Sequence, residues 1–429
     1  MSKLDEDESE YHHLRDVADS MNRYSEILAK RIRKKERDFG YLLPKYRKMV
    51  PDFKMKMKIC ENLIKENQKF LSAVSENALE HFRLDLKEQF CGKKVFEEKR
   101  KKEQSLLKTE KILSTLKQCC RDWSEEGAFE RRQSYGVVLD ELEHLYPDIS
   151  KRTKIKVLNP GCGLARLTWE IAKRGFASQG NEFSYFMLFT SHYILNRANK
   201  NSETVYPFVH VTKNNYSFRD QSRSVNFPDV DTSELPTEGN FSMVAGDFLE
   251  VYGNIEEMGK WDVVVSAFFL DTARNPLQYL ETISRLLRVG GYFINFGPLL
   301  YHYADNPNEF SIELSLEQLR ANLRDFGLEL IKEESNLESE YCANVKSMQK
   351  TVYNSFLWVC KKFEADEKQA IFDGEKSRLG GLRKVPDYYN SKIYIFRIYI
   401  LKVSSHIFQL FQCISHAGDS YCERQNKQI

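Results

Sequence analysis

IKVLNPGCGLARLTWEIAKRGFASQGNE, residues 155–182, decides the fold. IKVLNP (155–160) is a short apolar run ended by a turn residue. The glycine loop Asn159-Pro160-Gly161-Cys162-Gly163-Leu164-Ala165-Arg166 follows it directly and opens a helix, and FASQGNE (176–182) is the next run. Strand, glycine turn, helix and strand in that order make the opening unit of a parallel α/β sheet. Glycines let the backbone turn sharply and let a ligand approach without meeting a Cβ. The exposed helix N-terminus adds unpaired N–H groups.

Outward from this unit the same rhythm continues. FSMVAGD (241–247), WDVVVSAFFL (261–270) and GYFINFG (291–297) are short apolar or β-branched runs, mostly separated by helical stretches. A continuous run such as VVVSAFF belongs in the middle of a sheet covered on both faces. Ser315 and Gln318 have capping-box spacing, apolar residues repeat to Phe326, and Gly327 stands where that helix should stop. LELIKEE (328–334) and VYNSFLWVC (352–360) predict a closing pair of strands, and 227–240 predicts a Pro/Asp/Ser loop. The expected fold is therefore a Rossmann-like, mostly parallel sheet over 151–363, preceded by a helical region over 1–150. The tail 364–429 shows no clear period and is expected to lie outside the core and to be dispensable to it.

Among the 429 residues, 64 basic and 62 acidic side chains nearly cancel, which removes the global electrostatic reason to expect nucleic acid as partner. Nine cysteines include no Cys-x-x-Cys pair, so no metal site is expected and a reduced intracellular setting is. The start, MSKLDEDESEYHH, is acidic and polar, unlike a signal peptide. The apolar stretch 393–414 carries Arg397, Lys402 and His406, which argues against a membrane span. The expected location is the cytoplasm, with the basic run EKRKKE (98–103) admitting the nucleus as well.

The chemistry gathers at strand ends. A dinucleotide site would place a third glycine where this chain has Arg166, so a smaller nucleotide-like ligand is favoured. Glu182 ends the second run, 21 residues after Gly161, where a carboxylate can accept from a ribose diol. Asp247-Phe248 ends a later run, where an acid can bond the adenine amino group and an aromatic ring can stack on its face. Together these form the layout of an S-adenosylmethionine site, since ligands of open α/β sheets bind outside the carboxyl ends of the strands. Asp271, an acid at the end of FFLD, would face the same cleft, although a helix N-cap is the plainer reading of it.

NPGCGLARLTWEIAKRGFASQGNEFSYFMLF, FSMVAGDF, FFLDTARN, GPLLYHY and the upstream DWSEEGAFERRQSYGVVLDEL (122–142) resemble the carnosine N-methyltransferases. The resemblance runs to about Lys362. It implies a class I methyltransferase fold and methyl transfer from S-adenosylmethionine to the imidazole of carnosine, giving anserine. A histidine within another peptide or a protein is the alternative acceptor. It implies cofactor contacts at Arg131, Gly161, Gly163, Glu182, Asp247, Phe248 and Val263. It places carnosine at Asp271, His302 and Tyr353, which also carry the catalytic expectation. Ala128 departs from the family, which often has a Gln there. The expected partner is a small dipeptide, with neither nucleic acid nor membrane; the oligomeric state, a homodimer included, is left open.

Overall fold

Val263, Val264 and Val265 are fully buried, as a run apolar on both faces requires, and they occupy the centre of one sheet. The protein is described here by a computed structural model, which covers residues 3–81, 98–236, 241–364 and 397–398. Its strands are β1 (Lys156–Pro160), β2 (Ala177–Glu182), β3 (Glu203–Val205), β4 (Val225–Phe227), β5 (Phe241–Ala245), β6 (Trp261–Ala267), β7 (Leu287–Gly297), β8 (Leu328–Glu340), β9 (Val352–Lys362) and β10 (Arg397–Ile398). The main sheet runs β10-β5-β2-β1-β6-β7-β9-β8. Strands β5, β2, β1, β6 and β7 are mutually parallel, while β9 is antiparallel to β7 and β8 to β9. The chain winds outward one way from β1 through β2 and β5, then crosses back to β6. The switch point therefore lies between β1 and β6, where such sheets form their ligand crevice.

The structure differs from the sequence reading in two regions. Before the loop at 227–240, the sequence from residue 200 onward has few periodic features that would predict an element. Instead, β3 and β4 pair as a separate antiparallel ribbon, and Ser217 caps the single turn Phe218–Gln221 by accepting from the Asp220 N–H. Of the tail beyond Glu364, the described residues Arg397–Ile398 lie antiparallel to β5 at the sheet edge. The remainder, including most of 393–414, falls outside the described residues. Within them no helix is long and apolar enough to cross a membrane.

The N-terminal region is helical, as expected, with helices Lys3–Asn22, Tyr24–Gly40, Phe53–His81 and Glu98–Trp123. In Phe53–His81 the buried side chains Met57, Cys60, Ile64, Phe70, Leu71, Val74 and Ala78 recur at helical spacing. That stripe does not form a separate core. Leu14, Met21, Ile64, Leu71, Leu113 and Trp123 belong to the same buried cluster as Trp169, Phe189 and Phe227 of the α/β part. Each large side chain buried there contributes roughly 1.5–3 kcal/mol, so the helices and sheet support one another. The capping box at Ser315 and Gln318 forms, and Gly327 takes a left-handed φ of 70° at the end of that segment.

Candidate active site

The glycine loop emerges from β1 beside the switch point. Gly161 and Gly163 have left-handed φ angles of 64° and 54°. A Cβ on Gly161 would lie 2.4 Å from the Phe269 ring, whereas one on Gly163 would meet no protein atom within 4 Å. The first glycine is thus demanded by packing, and the second leaves an open cradle. Trp123 donates its indole N–H to the Leu164 carbonyl at 2.9 Å, so the N-terminal helices brace the loop from behind.

Glu182 faces this loop. One carboxylate oxygen accepts from the Gly163 N–H at 2.8 Å, and the other accepts from Phe183 at 2.9 Å and Ser184 at 2.8 Å. Burial pushes its pKa up, against these three donors. Asp247 caps the helix Phe248–Tyr252 through Leu249 and Glu250, at 2.9 and 3.4 Å. The Gly246 N–H bonds the Glu182 carbonyl at 3.0 Å, which brings the two acidic strand ends together.

Two of the expected cofactor residues, Phe248 and Val263, have buried side chains. Phe248 is 2% exposed, and its ring is T-shaped to those of Phe269 and Tyr279. Val263 is fully buried and pairs opposite Val157, four residues before the carboxyl end of β6. The aromatic side chain with a free surface is Phe183, next to Glu182 and 65% exposed. The acid-then-aromatic signal that selected Asp247-Phe248 was equally present in Glu182-Phe183.

Arg131 is buried. It donates to the Arg121 and Ser124 carbonyls, both at 2.7 Å, and pairs with Asp229. Arg166 joins the same carboxylate at 2.5 Å, pairs with Glu170 at 2.9 Å and donates to the Asp122 carbonyl at 2.9 Å. The residue that replaces a third glycine is therefore a tie between the loop helix and the N-terminal region. Arg131 stands behind the loop within this tie.

On the acceptor side, Asp271 follows β6 and is 3% exposed. One carboxylate oxygen accepts the Leu300 N–H at 2.8 Å; the other, Oδ1, is buried and without a hydrogen-bond partner. Burial pushes the carboxyl up, opposed by that N–H and by His302. The His302 N–H donates to the Asp271 carbonyl at 3.1 Å, and its side chain is exposed. Tyr353 is half-buried on β9, its ring 6.3 Å from that of Tyr341. Tyr341 in turn lies 4.9 Å from Phe268, three residues before Asp271. Tyr341 thus joins the two sides of the site, and sequence reasoning missed it because it lies past the end of a strand with no motif around it. A separate cavity of about 440 Å³, lined by Lys156, Gln179, Tyr252 and Trp261, lies toward the opposite ends of the strands. No cluster of candidate metal ligands occurs among the described residues.

Residues 98–364 match the family model for carnosine N-methyltransferase. The chain belongs to the carnosine N-methyltransferase family. It is 38% identical over 360 residues to the carnosine N-methyltransferase of Mus musculus, covering 83% of this chain and 88% of that protein. The Schizosaccharomyces pombe enzyme of the same name is 46% identical over 264 residues, 59% of this chain and 70% of that one. The Drosophila melanogaster relative, named carnosine N-methyltransferase unmet, is 42% identical over 265 residues, 61% of this chain and 58% of its own length. The family match starts at Glu98, the first residue of the last long N-terminal helix, and ends just after β9, so it spans the sheet through β9 and the helix that braces the glycine loop. The residues present fit S-adenosylmethionine, the methyl donor this family implies. Gly163 leaves an open cradle, the Glu182 carboxylate lines it, and the buried Asp271 oxygen stands across the switch point.

Proposed function

We propose that this protein transfers a methyl group from S-adenosylmethionine to an imidazole nitrogen of carnosine, giving anserine and S-adenosylhomocysteine. The observation that carries the reading is Asp271: a buried carboxylate with one oxygen fixed by the Leu300 N–H and the other unpartnered. A buried acceptor without a donor costs free energy. An imidazole N–H is a donor of the right kind to satisfy it.

Bound S-adenosylmethionine supplies an electrophilic methyl on its sulfonium. Glu182 would accept from the ribose hydroxyls and Asp247 from the adenine amino group. The Gly161–Gly163 turn would let the cofactor approach the backbone. Imidazole with a pKa near 6.5 is largely neutral at physiological pH and already nucleophilic. By accepting the N–H of one ring nitrogen, Asp271 fixes the tautomer and leaves the lone pair of the other nitrogen exposed. Its charge then stabilises the imidazolium formed on methyl transfer, as the triad carboxylate does for its histidine. The sequence left Asp271 and His302 open for this part; the buried free oxygen favours Asp271, and the exposed His302 side chain is assigned to the dipeptide's backbone or ends. Holding the nucleophile in line with the methyl supplies most of the remaining rate enhancement. Steady-state kinetics of Asp271→Asn test the assignment. Turnover with saturating carnosine should fall steeply while S-adenosylhomocysteine binds as before; wild-type turnover would sink it.

A further inference from the structure

We propose that Glu130, Arg121 and Gln118 of the N-terminal helical region are positioning residues that clamp the β8–β9 connection onto the methyl-acceptor pocket. The proposal rests on the carnosine reading above and names what sets that pocket's shape. The connection, residues 341–351, carries Tyr341, whose ring links the Asp271 side of the site to Tyr353. Its backbone takes a left-handed φ of 47° at Cys342, a conformation a non-glycine residue keeps only when its surroundings hold it.

The groups that hold its first residues come from residues 118–133, while Asn214 and Arg223 hold residues 344–349 further along. Glu130 receives the Cys342 N–H on one carboxylate oxygen at 2.7 Å and the Ala343 N–H on the other at 3.1 Å. Arg121 Nε lies 2.7 Å from the same carboxylate. The Arg121 guanidinium also stands 4.8 Å from the Tyr341 ring and 5.2 Å from the Phe268 ring, both within cation–π range. Gln118 donates to the Tyr341 hydroxyl at 3.1 Å, and Gln133 accepts the Glu340 N–H at 3.2 Å. Arg121, Glu130 and Gln118 are all buried.

A buried ion pair is weak evidence of stabilisation, because apolar side chains of similar volume often serve as well or better. This pair is not closed on itself. Its carboxylate spends both oxygens on two consecutive N–H groups of the connection, and its cation lies against the two rings that border the acceptor site. It therefore specifies one conformation of the connection. A loosened connection should weaken carnosine binding before it affects the cofactor, which is held by the glycine loop and Glu182.

The test uses the full-length enzyme and three readouts: KM and kcat for carnosine, the Kd of S-adenosylhomocysteine by calorimetry, and the thermal midpoint. Gln118→Leu and Tyr341→Phe remove the same hydrogen bond from opposite ends, and Gln118→Leu also removes the bond that Arg121 donates to the Gln118 side-chain carbonyl at 3.2 Å. Each should raise KM for carnosine about 3–10-fold, as one lost hydrogen bond allows, with the cofactor Kd within twofold. The double variant should be no worse than the poorer single variant. Glu130→Gln should raise KM about tenfold or more on the same reasoning, since its amide puts a donor against an N–H. If Glu130→Gln fails to fold, the Gln118 and Tyr341 pair decides alone. Unchanged KM values overturn the clamp, as does a parallel loss of carnosine binding, cofactor affinity and thermal midpoint. A wild-type enzyme that methylates no carnosine overturns the functional reading instead, so the two failures are distinct.

Discussion

Glu182→Ala separates a ligand contact from a loop brace. In the structure the carboxylate accepts three backbone N–H bonds of 2.8–2.9 Å, from Gly163, Phe183 and Ser184. A hydrogen bond to a charged group contributes about 1.5–3 kcal/mol. Phe183 is exposed and Ser184 begins a helix, so water can replace much of what those two N–H groups lose. Burial also disfavours the carboxylate, as its raised pKa shows, and removing it recovers that cost. The net loss of stability should therefore be near a single hydrogen bond, about 1–3 kcal/mol. The ribose diol would lose its acceptor altogether, which should weaken cofactor binding by about 10–100-fold. Glu182→Gln keeps an oxygen for Phe183 and Ser184 but turns its amide toward the Gly163 N–H, so its affinity should fall between the two. Calorimetric titration with S-adenosylhomocysteine reads affinity, and a urea midpoint on the same samples reads stability. Wild-type affinity in a destabilised Glu182→Ala protein would refute the argument and leave Glu182 as a brace alone.

Three further outcomes are expected. Asp271→Asn should unfold at a higher temperature than wild type at neutral pH while losing turnover. Its pKa is raised in the fold, so its favourable contribution exists at low pH and is lost as pH rises through the folded value; a lower thermal midpoint at pH 7 would contradict this. Gly163→Ala should cost about 1–2 kcal/mol for its left-handed φ and weaken the cofactor, whereas Gly161→Ala should cost more because its Cβ meets Phe269 at 2.4 Å; equal urea midpoints would count against the packing argument. His192 is pushed down to about 3 by burial, with His81 and Arg197 adding to the effect. The unfolded chain takes its proton near 6.5, so stability should fall as pH drops from about 6.5 toward 3, by up to roughly 1.4 kcal/mol per pH unit for that group. Burial acts in the same direction on His81 and His210. A urea midpoint unchanged between pH 7 and pH 5 would argue against it.

Local sequence made the sheet legible through β9. The runs at 155–160, 176–182, 241–247, 261–270, 291–297, 328–334 and 352–360 each became a strand, because turn residues bounded them and burial chose their apolar character. Asp271 was legible as an acid at a strand end, but its free buried oxygen was not, since that depends on Leu300 arriving from 29 residues away. Phe248 and Val263 show the converse. A residue type at a strand end says nothing of whether packing has already covered it, and here Phe269, Tyr279 and the neighbouring strands have done so. The structural use of Arg131 and Arg166 was equally hidden. Both depend on Asp229, which lies in the loop the sequence reading passed over as Pro/Asp/Ser-rich. The part played by the N-terminal helices was the least legible. Their spacing predicts helices, but Trp123 reaching Leu164 and Glu130 reaching Cys342 are long-range contacts that no local pattern encodes.

The central claim is tested most directly by incubating the full chain with methyl-labelled S-adenosylmethionine and carnosine and locating the label in the product by fragmentation and NMR. The account predicts one methyl group per dipeptide, on an imidazole nitrogen, with anserine as product, and its near-complete loss in Asp271→Asn. Label on the β-alanyl amine, or none on carnosine while a histidine-containing peptide takes it up, would contradict the account.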